Sequence, residues 1–253
     1  MRFAGTAAVI TGGGQGIGAA VARALAAEGG AVIVAARHVD RIEAVAAEIR
    51  RGGGKAWAVP CDVTDPASAR ALADASARHA EAIDILINNA GVAHSAPLHK
   101  ITLEDWNRVM AVNATGTFLC TQAFVPGMLA RKRGSVVNVA SVAGLGGARY
   151  IAAYAAAKHA VIGLTRSLAA ELEGTGVTCN AVCPGYVDTE MTRESVARVV
   201  AKTGKSADAA LEAMLAASGQ QRLITAAEVA EAVLTVCDPR GARPNGAAVT
   251  VQP

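Results

Sequence analysis

The sequence has no long apolar run, no strong excess of charge and no basic cluster suited to a nucleic acid. Its apolar stretches are interrupted well short of the roughly 20 residues that a membrane-spanning helix needs. The net charge is only +3, and the one basic run, Arg131–Arg133, follows an apolar helical segment whose C-terminal dipole favours positive charge. We therefore expect neither nucleic acid nor membrane as a partner, and we interpret the N-terminus as a first strand rather than a signal peptide.

The cysteines also lack a pattern. There are five of them, an odd number, and no two are spaced as CxxC. Cys179 and Cys183 stand four residues apart with no pair of histidines nearby, which does not suit a metal site. We predict no metal, and we interpret the thiols as buried and reduced, as in a cytoplasmic protein.

What the sequence does have is ample material for a core, since 52% of its 253 residues are hydrophobic. Apolar segments of β type, at 6–11, 31–36, 55–60, 83–88, 134–140, 176–183 and 247–251, alternate with helical segments at 17–29, 39–51, 66–80, 103–131, 152–173 and 225–238. This alternation favours βαβ units and an α/β fold with a doubly wound parallel sheet of Rossmann type and helices on both faces. Since no repeat or linker divides the chain, we predict a single domain over 1–253.

The segment 188–221 breaks the alternation between the sixth strand and the last helix. Apolar residues recur in it at helical spacing, at Val196, Val199, Val200, Leu211, Met214 and Leu215. This spacing predicts a small helical insertion near the strand ends. A mobile lid and a static flap are both compatible with the pattern.

Tyr154 and Lys158 lie four residues apart, and Ser141 precedes the tyrosine by thirteen residues. On a helix this spacing puts the phenol and the ammonium on one face. A phenol has a pKa near ~10, and a cation about 4 Å away in a shielded cleft could lower that value by about three units. The pair would then be an acid/base device, with Ser141 a candidate to hold the oxygen being protonated. Because ordinary amphipathic helices also carry such pairs, the interpretation depends on the accompanying motifs.

A glycine-rich turn, Thr11-Gly12-Gly13-Gly14-Gln15-Gly16-Ile17-Gly18, follows the first predicted strand and opens the first helix. Glycines at this point let backbone N–H groups approach a pyrophosphate at the helix N-terminus. A purely structural turn is the alternative interpretation.

Together these features resemble the short-chain dehydrogenase/reductase family over essentially the whole chain. The matching motifs, in the family's order and at its spacing, are Thr11-Gly12…Gly16-Ile17-Gly18, Asp62-Val63, Asn88-Asn89-Ala90-Gly91, Asn113, Ser141, Tyr154, Lys158 and Pro184-Gly185. Within the family the chain looks most similar to 3-oxoacyl reductases and 3-hydroxyacyl dehydrogenases. The resemblance implies an NAD(P)-dependent oxidoreductase that interconverts a ketone and a secondary alcohol.

The resemblance also implies catalytic roles. Tyr154 would be the acid in ketone reduction and the base in alcohol oxidation, while Lys158 would lower its pKa and hold the nicotinamide ribose. Ser141 would hydrogen-bond the substrate oxygen. Asn113, inside the long fourth helix, would bend that helix and hold a water that relays protons to Lys158.

The implied cofactor site extends from the glycine turn to the end of the sixth strand. Asp62 and Val63 would meet the adenine, and the residues around Pro184 would border the nicotinamide. The residues expected to bind the cofactor are Thr11, Gly12, Gly14, Gln15, Gly16, Ile17, Gly18, Arg37, Asp62, Val63, Asn89, Ala90, Gly91, Tyr154, Lys158, Pro184, Gly185, Val187 and Thr189.

The end of the second strand bears on which nicotinamide cofactor is used. An acidic residue there would bind the ribose 2′-hydroxyl of NAD, whereas an arginine accommodates the 2′-phosphate of NADP. The strand ends at Ala36 and is followed by Arg37, so we expect NADP, with NAD possible if Arg37 is only a solvated loop charge. A second NADP mark of the family, a basic residue before the middle glycine, is absent because Gln15 stands there.

The expected substrate pocket is apolar and suits a carbon chain or a ring, with walls from Val142, Ala143, Leu145, Tyr150, Tyr186 and Met191. His94 could touch a polar group of the substrate, although its sequence context fits a surface loop better. Basic residues of the insertion could meet the phosphates of an acyl carrier, namely Arg193, Arg198, Lys202 and Lys205.

Assembly and function are expected as follows. The helix at 152–173 is apolar nearly all round, and family members pair this helix with a symmetry mate, which implies a homotetramer. The chain ends Val249–Pro253 rather than in the family's Asp-Gly-Gly tail.

For the function, we expect an NADPH-dependent reductase. The alternatives are an NAD-dependent 3-hydroxyacyl or other secondary-alcohol dehydrogenase and, from another class, a non-catalytic nucleotide-binding regulator.

Overall fold

The computed structural model describes residues 1–242 and 244–253, and its strands form one seven-stranded sheet in the order β3-β2-β1-β4-β5-β6-β7. The strands are β1 (Ala7–Thr11), β2 (Ala31–Ala36), β3 (Lys55–Pro60), β4 (Ile85–Asn88), β5 (Gly134–Val139), β6 (Val177–Pro184) and β7 (Ala248–Val251). The helices are α1 (Gly16–Ala27), α2 (Val39–Arg51), α3 (Pro66–Ala77), α4 (Leu103–Met110), α5 (Gly116–Ala130), α6 (Ala152–Glu171), α7 (Glu190–Thr203), α8 (Ala207–Ala217) and α9 (Ala226–Cys237). All neighbouring strands are parallel, which confirms the predicted Rossmann-type fold.

Successive residues of each strand point to opposite sides of the sheet. Helices cover both sides, so both faces of the sheet are buried. Val9 and Ile33 belong to a core beneath α3, α5 and α6, whereas Ile10 and Val34 belong to a core beneath α1, α2 and α9. A strand buried on both faces must be apolar at every position, which explains the continuous apolar runs in the sequence.

The order of the strands reverses between β1 and β4. In open α/β sheets, ligands bind outside the carboxyl ends of the strands at such a reversal. Thr11 ends β1 and Asn88 ends β4, and both are buried at this edge. The glycine turn after β1 and the Asn89–Gly91 segment after β4 therefore come together.

The helical segment predicted over 103–131 is confirmed from Leu103 to Ala130, and it contains one irregular turn. α4 ends at Met110, a single π-helical turn covers Ala111–Thr115, and α5 then continues to Ala130. Turns of this kind occur mostly as bulges within helices and often at functional sites. The widened turn contains Asn113, the residue expected to bend this helix.

The predicted insertion is helical and consists of α7 and α8. Gln220 anchors its far end, because its side-chain Oε1 accepts a hydrogen bond from Tyr186 N (2.7 Å) and its Nε2 donates to Tyr186 O (3.2 Å). Val187 forms a parallel bridge with Ile224. Both ends of the insertion are thus tied to the end of β6. Within the described residues, every helix falls short of the length and hydrophobicity that crossing a bilayer requires.

Candidate active site

A cleft of about 1330 Å³ lies at the carboxyl ends of the strands and collects most of the predicted site residues. The glycine turn and the Asn89–Gly91 segment line it, and α6 contributes Tyr154 and Lys158. The other predicted residues on its wall are Arg37, Asp62, Val63, Asn113, Ser141, Val142, Ala143, Tyr150, Pro184, Gly185, Tyr186, Val187, Thr189 and Met191.

Three predicted site residues do not line the cleft. The Thr11 hydroxyl donates to Ile87 O (3.3 Å) and accepts from Asn89 N (3.0 Å), so it joins the ends of β1 and β4. Gly18 packs beneath the turn, where a Cβ would lie 2.4 Å from both Asn89 Nδ2 and Gly12 O. Leu145 is 42% exposed outside the cleft. Thr11 and Gly18 support the site rather than line it, and Leu145 is not part of the wall.

The glycine turn has the backbone geometry of an anion-binding loop. Gly12 and Gly16 have φ of +63° and +51°, values that L side chains rarely adopt. Asn89 Nδ2 donates to Thr11 O and to Gly12 O at 3.0 and 3.1 Å, which fixes the start of the turn. Gln15 precedes α1 without forming a side-chain cap, so its side chain satisfies none of the first-turn N–H groups. This end of α1 fits a pyrophosphate.

The adenosine end of the cleft has one basic and one acidic wall. Asp62 accepts hydrogen bonds from the Thr64 hydroxyl (2.7 Å) and from Thr64 N (2.9 Å), and these bonds lower the pKa of its carboxyl. Arg37 is exposed, lines the cleft and lowers that pKa further by its charge. Within the described part of the chain, no carboxylate lies within ion-pair distance of Arg37.

Lys158 and Tyr154 share a face of α6, as their spacing predicts. Lys158 is only 5% exposed, its Nζ donates to Val139 O at 2.8 Å, and it lies 5.7 Å from the centroid of the Tyr154 ring. Burial lowers the pKa of Lys158 to about 8, because a charged ammonium is costly away from water.

The expectation that Lys158 lowers the pKa of Tyr154 does not describe this structure. Burial raises the pKa of the phenol to about 12, and a hydrogen bond with the Ser141 side chain only partly opposes that shift. The cause is desolvation of the phenolate, which outweighs any effect of the ammonium directed at Val139 O. Tyr154 is therefore a protonated phenol at neutral pH.

Ser141 stands at the end of β5 and caps the short turn that follows. Its hydroxyl accepts from Ala143 N (3.1 Å) and donates to Pro184 O (3.3 Å), which holds it beside the end of β6. The Ser141 side chain lowers the pKa of the Tyr154 phenol, so it lies near that phenol, and both hydroxyls line the same cleft. That arrangement suits a carbonyl oxygen, which can accept from both.

Asn113 is fully buried, and its side chain is occupied by backbone groups. Its Nδ2 donates to Val92 O and Val109 O at 2.9 Å, and its Oδ1 accepts from Val92 N at 3.2 Å. A Cβ on Gly91 would lie 2.8 Å from Asn113 Oδ1 and 3.8 Å from Lys158 Nζ. Asn113 and Lys158 therefore flank the same small space, which glycine keeps open.

The substrate end of the cleft combines one expected residue, Tyr150, with side chains whose sequence context did not predict them there. Tyr150 lies at the rim, 61% exposed and with a φ of +66°. His94, for which a surface loop was favoured, lines the cleft. α7 and α8 also line it, through Ser195, Arg198, Val199, Ala210, Ala213, Met214 and Ala217 among others. Their three- and four-residue intervals could have indicated these faces, but periodicity alone does not say which face of a surface helix covers a site.

The described residues contain no group of three or more His, Cys, Asp or Glu arranged to hold a metal ion. The five cysteines are all buried and unpaired.

Comparison with known proteins identifies the family. Residues 6–200 match the family model for short chain dehydrogenase. The chain is 42% identical over 233 residues to "Inactive 2-(S)-hydroxypropyl-CoM dehydrogenase 2" of Xanthobacter autotrophicus, covering 91% of this chain and 97% of that one. It is 44% identical over 186 residues to a 3-oxoacyl-[acyl-carrier-protein] reductase of Synechocystis sp., covering 73% and 75% of the two chains.

A solved structure agrees with both the fold and the family. A tryptophan variant of actinorhodin polyketide ketoreductase, crystallised with NADPH, superposes with a TM-score of 0.92 at 35% identity, and the match covers 98% of this chain and 95% of that one. The glycine turn, the Ser141–Tyr154–Lys158 cluster and this agreement over nearly the whole chain lead to one conclusion. The chain belongs to the short-chain dehydrogenase family and is an NAD(P)-dependent oxidoreductase of the class that interconverts ketones and secondary alcohols.

Proposed function

We propose that the protein reduces a ketone to a secondary alcohol with NADPH. The observation that carries this proposal is the pair of hydroxyls, Ser141 and Tyr154, beside the buried ammonium of Lys158. A phenol is protonated at neutral pH, and Tyr154, whose pKa is raised to about 12, remains so and has a proton to give to a carbonyl oxygen.

In this mechanism the carbonyl oxygen accepts hydrogen bonds from Ser141 and Tyr154, which orients it and stabilises the negative charge that develops there. A nicotinamide held beside Pro184 and Gly185 would supply the hydride to the carbonyl carbon. Tyr154 transfers its proton to the oxygen, and the charge of Lys158 stabilises the resulting phenolate. Asn113 holds the loop at Val92 and faces the space beside Lys158 through which the proton is replaced.

The dinucleotide would lie along the cleft with its pyrophosphate at the N-terminus of α1. Asp62 and Val63 would meet the adenine, Asn89 to Gly91 would line the adjoining floor, and the segment from Pro184 to Thr189 would border the nicotinamide. All of these residues are on the cleft wall. Arg37 would bind the 2′-phosphate, since β2 ends without a carboxylate and Arg37 has no acidic partner among the described residues.

Cofactor binding tests this assignment. Fluorescence titration of the purified protein should give tighter binding for NADPH than for NADH, and Arg37→Ala should weaken NADPH binding by about 10- to 100-fold while leaving NADH unchanged. The matched control is Arg23→Ala, which removes an exposed arginine of α1 that pairs with Glu48. Tighter binding of NADH would make Arg37 a bystander and favour the alternative of an NAD-dependent secondary-alcohol dehydrogenase.

The chemistry is tested separately with Tyr154→Phe. This variant keeps the ring but has no proton to donate, so ketone reduction should fall by at least about 10³-fold while NADPH binding is retained. Because one relative is named inactive, wild-type turnover is itself informative. A wild-type protein that binds NADPH but reduces no ketone in a broad panel would favour the non-catalytic regulator.

We propose further that residues 1–253 act as one domain, that four copies assemble and that the protein is cytoplasmic. The single sheet from Ala7 to Val251 supports the first point, and an exposed line of small residues on α6 supports the second. Five buried thiols without a disulfide are typical of a reducing compartment.

A carrier-linked acyl group is a further candidate substrate. However, two of the cations considered for it have other partners, since Arg193 pairs with Asp188 (2.6 Å) and Lys202 donates to Ser95 O (3.1 Å).

A further inference from the structure

The insertion forms a largely apolar wall over one end of the cleft, and one of its arginines, Arg198, has an N–H group without an acceptor among the residues described. Arg198 is the cation among the described α7 and α8 residues that line the cleft. Two acidic residues of α7 also line it. Glu190 pairs with Arg41 at 3.0 Å, and Glu194 is 61% exposed with its carboxylate 3.9 Å from Arg198 Nη1. The rest of this wall is small or apolar, including Met191, Val199 and Met214.

The guanidinium of Arg198 is incompletely hydrogen-bonded. Its Nη2 donates to Ser195 Oγ at 2.9 Å, whereas its Nε is buried and has no acceptor among residues 1–242 and 244–253. Leaving a buried N–H of a charged group without an acceptor is costly, and native proteins contain few such atoms. The free donor is therefore available to an acceptor on a ligand in the cleft.

His94 provides a second free polar atom at the same end of the cleft. Lys202, one turn after Arg198 on α7, reaches Ser95 O, so this face of the helix meets the loop that carries His94. His94 Nδ1 lies 3.5 Å from Asp105 Oδ1, while its Nε2 is buried without a partner. Three buried side-chain atoms lack partners among the described residues. Two of them are here, and the third, Asn88 Oδ1, lies at the end of β4.

We propose that the substrate is a ketone carrying an oxyanion, such as a carboxylate, sulfonate or phosphate, which Arg198 binds with His94 as a second donor. This inference rests on the proposed function, because Ser141 and Tyr154 hold the carbonyl at the other end of the same molecule. The fork of N–H groups on an arginine matches an oxyanion, and a histidine ring nitrogen that carries a proton can add a further bond. The apolar residues between the two ends suit a short carbon chain.

The test compares two ketones that differ only in charge, 5-oxohexanoate and its methyl ester, with NADPH as cofactor. The wild-type kcat/KM should be at least about tenfold higher for the acid, because the ester offers no charged acceptor to Arg198 Nε. Arg198→Ala should lower kcat/KM for the acid by about 30- to 100-fold, mainly through KM, and should change the ester by less than about threefold. Arg198→Lys should recover part of the loss. Arg193→Ala, on the same helix but paired outside the cleft, should leave both substrates unchanged.

A binding measurement supports the kinetics. In the presence of NADPH, 5-oxohexanoate should raise the Tm of the wild type and of Arg193→Ala, but not that of Arg198→Ala, since ligand binding stabilises the folded state. Reduction of acetoacetyl-CoA by the same proteins shows whether the oxyanion belongs to the ketone itself or to a carrier arm. An effect of Arg198→Ala confined to this thioester would support the oxyanion site and assign its ligand to the carrier arm.

Two other outcomes are distinguishable. If the wild type reduces the ester as well as the acid, or if Arg198→Ala lowers both equally, and the variant shows no larger loss with acetoacetyl-CoA, the oxyanion site is overturned while the proposed reductase function stands. If the wild type reduces neither ketone nor the thioester with NADPH or NADH, the proposed function itself fails.

Discussion

At the scale of single residues, the site is governed by the cost of burying Lys158. Its ammonium has one backbone acceptor, Val139 O, and is 5% exposed, so it has exchanged most of its hydration for a single hydrogen bond. The lowered pKa, about 8, measures that exchange. Such a charge weakens the fold, and its retention is explained by the charge it offers to a phenolate of Tyr154.

Lys158→Met should therefore stabilise the protein while removing its activity. At pH 7 the variant should gain about 1–2 kcal/mol in the free energy of unfolding, since the cost of burying the charge exceeds the loss of one hydrogen bond. The folded-state pKa is below the ordinary value of 10.5, so the wild type gains stability as the pH rises from about 8 to about 10.5. Over that range the advantage of the variant should shrink or reverse.

Denaturant unfolding of both proteins at pH 7, 8, 9 and 10 measures this difference, with ketone reduction assayed in parallel. A variant that is less stable than the wild type at pH 7 would mean that the Lys158 hydrogen bond outweighs the burial cost. A gap that stays constant from pH 7 to pH 10 would mean that Lys158 does not titrate in this window.

At the scale of elements, the start of α1 depends on the close approach of three segments. Gly18 allows the helix to pass against the turn that begins at Gly12 and against Asn89. Gly127, in α5, is also a helical glycine, but among the described residues a Cβ there would meet only Arg131 Nη1, at 3.4 Å and in ordinary van der Waals contact. The same substitution should thus have opposite effects at the two positions.

Gly18→Ala should lower the free energy of unfolding by about 1–3 kcal/mol, because the new methyl group would overlap the Gly12 carbonyl, a backbone atom that cannot rotate away. It should also weaken NADPH binding, since the turn must shift. Gly127→Ala should raise stability by up to about 1 kcal/mol through its better helix propensity. Chemical denaturation of both variants gives the comparison, and equal effects at the two positions would show that local propensity, not the close approach, decides the outcome.

The sequence predicted the elements that depend on local pattern and missed those that depend on tertiary contact. The strand β1 was found because five successive residues are small or apolar and buried, as both faces of the sheet require. The bend at Asn113 was expected only from the family resemblance, because the bond from Asn113 Nδ2 to Val92 O joins the helix to a distant loop and leaves no local sequence pattern. The cavity-facing side of α7 was missed for the same reason.

The candidate site divides in the same way. Motif spacing was sufficient to bring Ser141, Tyr154 and Lys158 to one cleft, since their order along the fold is fixed by the strands that precede them. The direction of the Tyr154 pKa shift was wrong because desolvation depends on everything packed around the phenol. The free nitrogen atoms of Arg198 and His94 likewise appear only after the loops are placed.

At the scale of the whole molecule, the outer face of α6 bears on assembly. Ala156, Ala160, Gly163, Ser167 and Ala170 follow one another at intervals of three and four residues and form a line that is exposed or half-buried. On α5, the large apolar side chain of Phe118 is also 45% exposed, as expected for a surface that a second copy could cover. Small residues permit two helices to approach closely, so this face can pack against its own copy about a twofold axis.

Ala160→Arg should break that packing. The wild type should run as a tetramer in size-exclusion chromatography with light scattering, and the variant as a smaller species, because each twofold contact would bring two arginines together without a partner. Ala77→Arg is the control, since it adds the same charge to an exposed position on α3. A wild type that is monomeric at micromolar concentration would refute the tetramer, and an Ala160→Arg tetramer as stable as the wild type would move the interface to another face. Ketone reduction by the smaller species then decides whether the cleft needs its neighbours, and activity per chain equal to that of the wild type would mean that each copy carries a complete site.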